Sequence, residues 1–168
     1  MKTLTSPLKL SAIVFLAFSV ALPARALSAH TWVSGIGNDA NTGTQQSPYA
    51  DFATAIANTA AGGVISVADS GDFGPLTITQ SITIDGMPGA TITTTGSEAI
   101  YVDVPAGQTV VIRNLTIDGL GQGIDGIFFA QSSTTGAPSM LIIQDCRVAN
   151  FTDIGIGLGD EGPCNLVV

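Results

Sequence analysis

The sequence predicts an all-β protein, a parallel β-helix of about three coils closed at its N-terminal end by a short α-helix. Three observations carry this. Nine residues recur, ITQSITIDG at 78–86 and VIRNLTIDG at 111–119, with a blurred third copy, IIQDCRVAN, at 142–150. A second series, AIYV at 99–102, GIFFA at 126–130 and GIGLG at 155–159, interleaves with the first at steps of 27 and 29 residues. Within the repeats apolar and polar residues alternate, the mark of a strand buried on one face. Two interleaved series with a shared period describe a solenoid, in which each coil pairs with the next ~4.8 Å away and like side chains stack inside.

The chain begins with Lys2 and Lys9, an uncharged apolar run over 10–22, Pro23 and the small-x-small triplet Ala24-Arg25-Ala26. That run is too short to span a bilayer comfortably, and the whole reads as a secretory signal peptide over residues 1–26, with Ala29 as a second cleavage point. The remaining 27–168 suits one domain, with an N-terminal strand, turn and capping helix in 27–62 and coils in 63–168. Removing the signal leaves two arginines, Arg113 and Arg147, against 13 acidic residues, and no lysine. Such an acidic domain is repelled by phosphate backbones and anionic surfaces, which argues against nucleic-acid binding. No later apolar stretch is long enough to cross a membrane.

Ser47-Pro48 reads as a helix start, with Ser as N-cap and Pro at the first helical position. In YADFATAIANTA, the residues Phe52, Ala53, Ile56, Ala57 and Ala60 then share one face, and Gly62-Gly63 stops the helix. GVISVAD at 63–69 begins the first coil. Aligning the nine-residue copies by their endings stacks Ile82, Leu115 and Cys146 inside, likewise Ile84, Ile117 and Val148, and sets Asp118 over Asp85.

Here a resemblance enters. WVSGIGNDANTG, followed by SPYADFATAIANTAAGGVISVADSGDFGPLTITQSITIDG, resembles the start of secreted pectin-lyase-like right-handed β-helix proteins. It covers about residues 31–159, nearly all of the secreted part. It implies a right-handed coil and ligands among acidic polysaccharides. For activity it implies only a range, because that superfamily holds lyases, hydrolases, esterases, adhesins and proteins without a known reaction. Its lyases use a basic residue to take a proton and a cation, commonly Ca²⁺, to neutralise the substrate carboxylate; inverting hydrolysis instead needs two carboxylates ~6.5–9.5 Å apart.

Against those requirements the chain offers little. Arg113 and Arg147 are the only candidate bases, and they fall in different columns, Arg113 beside Gln144 and Arg147 beside Thr116. The stacked Asp85 and Asp118 would share a Ca²⁺, or else each caps the turn before its glycine. Asp39, in Asn38-Asp39-Ala40-Asn41-Thr42-Gly43, belongs to part of a calcium-like loop without the distant Glu of an EF-hand, or to a turn held by Asx hydrogen bonds. For a glycan, Tyr101 with Phe128 or Phe129 forms an exposed aromatic strip, and Arg113 and Arg147 are further candidate contacts. His30 has no partner in view. Cys146 reads as a small buried hydrophobe, with a disulfide to Cys164 as the alternative. Asn114-Leu115-Thr116 and Asn150-Phe151-Thr152 match the N-glycosylation pattern, the first inside a strand.

DEGPCNLVV ends as a new apolar run begins, so the last rung is expected to lack a cap, to favour self-association, and to mark a truncated member of a longer family. The leading expectation is a secreted, non-catalytic module that binds a glycan or a cell surface. The alternatives are the N-terminal part of a polysaccharide lyase or hydrolase, and an adhesin-like segment that assembles end to end.

Overall fold

In a computed structural model the chain is described over residues 26–132, 135–159 and 162–168; the secretory signal expected over 1–26 lies outside them except for Ala26. It opens with β1 (Ser28–Val33), the helix α1 (Phe52–Asn58) and β2 (Thr59–Val67). Strands then follow in threes: β3 (Gly71–Asp72), β4 (Leu76–Ile78) and β5 (Ile82–Asp85); β6 (Ala90–Thr93), β7 (Glu98–Val104) and β8 (Thr109–Arg113). Next come β9 (Thr116–Asp118), β10 (Asp125–Gln131) and β11 (Ser139–Gln144), then β12 (Arg147–Ala149), β13 (Ile156–Leu158) and β14 (Cys164–Val167). Every third strand joins the same sheet, in the orders β1-β2-β5-β8-β11-β14, β4-β7-β10-β13 and β3-β6-β9-β12, with all pairs parallel. This is a parallel β-solenoid of about five turns.

Alternation decides which side chains enter the coil. Ile65, Ile84, Ile112 and Ile143 form one interior column, Leu76, Ile100, Ile127 and Ile156 a second, and Ile92, Ile117 and Val148 a third. Most of these are fully buried, and burying each isoleucine contributes roughly 1.5–3 kcal/mol. Branched side chains suit the site because they pack against the identical shape one rung away.

Three expectations need correction. The coil count is about five, not three, because β1 and β14 are rungs of the first sheet rather than a lead-in and a remainder. The first two TIDG copies do not stack: Ile82 and Ile84 sit on Val110 and Ile112, while Ile117 sits on Ile92 in another sheet. Coils differ in length, 28 residues from Ile84 to Ile112 but 25 from Ile92 to Ile117, so an offset of 33 overshoots by one strand and a turn. The second and third copies do align as expected, Thr116 on Arg147 and Ile117 on Val148. So does the second series, Ile100 on Ile127 on Ile156.

The helix is also shorter than expected. Tyr49 is drawn into a bridge with Val33, donates its N–H to the Trp32 carbonyl at 2.9 Å and is buried. That pairing prevents a helix from starting at Pro48. Asp51 is the N-cap instead; its extended backbone lets the carboxylate accept the Thr54 N–H at 2.7 Å. Phe52 and Ala55 face the interior, where Phe52 packs against Phe73, while Ala53 and Ala57 are exposed.

Candidate glycan-binding groove

The exposed alanines of α1 form one wall of a groove of about 670 Å³. The opposite wall is the second sheet and the turn before β7, which contribute Thr77, Thr94, Ser97, Glu98 and Tyr101. Thr77, Tyr101, Phe128 and Gly157 occupy one row across four strands. Tyr101 and Phe128 point outward and stack, with ring centroids 6.0 Å apart and planes 10° apart. Gly157 makes room for this: a Cβ there would come within 3.2 Å of the Phe128 ring.

Of the aromatic strip expected from sequence, Tyr101 and Phe128 are brought together as a surface pair. Phe129 is fully buried, because alternation turns it inward onto Val102; it is not a contact residue. Glu98 lies directly across the ladder from Asp125, whose carboxylate accepts the Ile154 N–H at 3.1 Å. Asp103, on the outward side of the same strand as Tyr101, has one buried carboxylate oxygen without a hydrogen-bond partner among the described residues.

The two arginines lie on other sheets. Arg113 donates through Nε at 3.0 Å and Nη2 at 2.9 Å to the two oxygens of Asp85, one rung below, and the Asn114 amide adds a bond at 3.0 Å. The Arg113 guanidinium holds the Asp85 carboxyl below its ordinary range, opposed in part by burial, and Asp85 in turn pushes Arg113 up. Asp118 sits 3.5 Å from Arg147 and receives two bonds of 2.9 Å from the Asn150 amide. The Asn150 amide, with help from the Leu120 N–H, lowers its carboxyl too.

These clusters explain the TIDG repeat. Each Asp-Gly meets an asparagine of the next rung that holds a left-handed backbone, Asn114 at φ 58° and Asn150 at φ 61°. That turn brings the asparagine carbonyl so close that a Cβ on Gly86 or Gly119 would lie 2.3 or 2.5 Å from it. Asparagine tolerates this conformation better than most residues. The repeat therefore records a turn device used twice, on two sheets, rather than one column of aspartates. A single cation shared by Asp85 and Asp118, one of the two readings of their expected stacking, has no basis in this geometry, because the two lie on different sheets. Among the described residues no group of three His, Cys, Asp or Glu is placed to hold a metal ion.

The remaining candidates fall elsewhere. The Asp39 carboxylate accepts the N–H groups of Ala50 and Asp51 at 2.9 and 3.2 Å, and Asn38 closes an Asx turn onto Ala40 at 2.9 Å. His30 does have partners, Ser66 Oγ at 2.9 Å and the Trp32 ring at 4.9 Å. Both cysteines are free; Cys146 packs against the core, its thiol faces the Gln144 carbonyl at 3.3 Å, and burial pushes it up. Of the groove walls, Tyr101 was read from the sequence, whereas Thr77, Thr94, Ser97, Glu98 and the exposed alanines of α1 were not.

No protein-family model, characterised protein or solved structure matches the chain. The parallel β-solenoid expected from the resemblance is present, while membership of the pectin-lyase-like superfamily rests on the quoted motifs alone. No described helix is long and apolar enough to cross a membrane.

Proposed function

We propose that the chain is a secreted, non-catalytic β-helix module that binds a glycan of a polysaccharide or cell surface in the groove beside Tyr101. The observation that carries this is the outward Tyr101 ring, backed by Phe128 and flanked by a hydroxyl-lined groove. A sugar presents an apolar C–H face and a rim of hydroxyls, which suits a flat aromatic surface bordered by Thr, Ser and Glu side chains. The bidentate Asp85 contact supports a non-catalytic role, since it keeps Arg113 protonated and unfit as a base. Calcium enters this reading only through Asp39, Asp85 and Asp118, whose carboxylates already accept neighbouring donors, so EDTA is expected to leave binding unchanged.

The test is retention of the secreted protein on a glycan array, followed by titration of the best ligand. Tyr101→Ala is expected to weaken binding by about 2 kcal/mol, roughly 30-fold, as for truncation of a central aromatic contact. A chain that binds no glycan, or binds equally well without the Tyr101 ring, overturns the proposal.

A further inference from the structure

A second trough of about 400 Å³ continues the groove around the corner of the coil. The two share Pro75, Thr94 and Gly96, so they form one channel from Tyr101 to Leu120. Leu120 is unusual. It holds a left-handed backbone at φ 52° and is 54% exposed, between two glycines. A leucine in that conformation is rare and costs conformational energy. Here the strain holds an apolar side chain at the channel's far end.

The charges along this channel are one-sided. The hydroxyls of Thr77, Thr94 and Ser97 are neutral, Thr93 donates its hydroxyl to the Asp72 carboxylate, and Glu98 is the lining carboxylate, with Asp125 across the ladder from it. The basic side chains among the described residues are His30, Arg113 and Arg147. They lie on β1, β8 and β12, in the first and third sheets, and none lines either trough.

Resting on the glycan reading above, we infer that the channel selects an uncharged polysaccharide and rejects uronates. A uronate carboxylate would lie beside Glu98 with no cation to pair with, and an unpaired charge taken out of water is costly. Rejection by such a repulsive element is as effective as attraction in setting specificity. The neutral ligand instead stacks one ring on Tyr101, exchanges hydrogen bonds with the Thr77 and Ser97 hydroxyls and rests a second apolar face on Leu120. Because no ion pair forms, its affinity is indifferent to salt.

The experiment compares an array of neutral glycans with hexagalacturonate, by calorimetry, in EDTA and in millimolar Ca²⁺, at low and high NaCl. The expected result is a neutral ligand with an unchanged Kd across salt, hexagalacturonate weaker by at least about tenfold, and a gain in hexagalacturonate affinity on Glu98→Arg. Leu120→Gly is expected to weaken the neutral ligand without lowering the unfolding midpoint, a result that a purely structural role for Leu120 would not give. Tyr101-dependent binding of hexagalacturonate as tight as any neutral glycan overturns the selectivity and leaves the glycan reading standing. Absence of binding to every glycan, by both the native chain and Glu98→Arg, overturns the two together.

Discussion

At the scale of single residues, Asp85 bears on stability through its two-bond contact with Arg113. Its folded carboxyl titrates below the ordinary value of 3.8. A depressed folded pKa means that the unfolded chain binds the proton first as pH falls. The contribution is therefore complete above the unfolded value and disappears as pH drops through the folded one. The stability gap between the native chain and Asp85→Asn is expected to be constant above about pH 5 and to shrink below 3.8, as read by urea midpoints across that range. Gly86 makes a sharper test, because a methyl there meets the Asn114 carbonyl at 2.3 Å. Backbone cannot yield as a flexible side chain would, so Gly86→Ala is expected to cost about 2 kcal/mol in the same assay. Neither the Asn114 backbone nor the closeness of the two rungs was legible in the repeated TIDG, since both depend on what the following coil brings alongside.

At the scale of elements, α1 caps the coil and also walls the groove. Phe52 and Ala55 turn inward, which leaves Ala53 and Ala57 facing the channel. The helix has only seven residues, too few to hold itself together, so its cap and its packing maintain it. Asp51→Ala removes the bond to the Thr54 N–H. It is expected to cost about 1 kcal/mol and, on the proposed glycan reading, to weaken binding through the loosened wall. Thermal unfolding and titration of the variant separate the two effects. The presence of a helix here was legible, but its buried face was not: of the residues expected to share it, Phe52 faces inward, Ala53 and Ala57 are exposed, and Ala60 belongs to β2. The start of the helix was not legible either, because the Ser47-Pro48 signal loses to the pairing of Tyr49 with β1, a contact between segments that no local pattern encodes.

At the scale of the whole molecule, the coil explains why so few charges carry so much. A solenoid brings residues about 30 apart in sequence into neighbouring rungs, and each outward row becomes a stripe of neighbouring side chains one residue wide. One row holds Tyr101 and Phe128, another Asp85 and Arg113. The sequence by itself determined the solenoid, the alignment of the second series of strands, the presence of one outward and one inward ring at Phe128-Phe129, and the acidity. All of these follow from alternation and composition, which act locally or as a sum. Which ring faces out was decided by the structure. Only the tertiary structure decided the number of rungs, which copies stack, and which walls enclose the groove. Those depend on loop lengths that vary from coil to coil, and a change of a few residues moves a strand from one sheet to the next without altering its alternation.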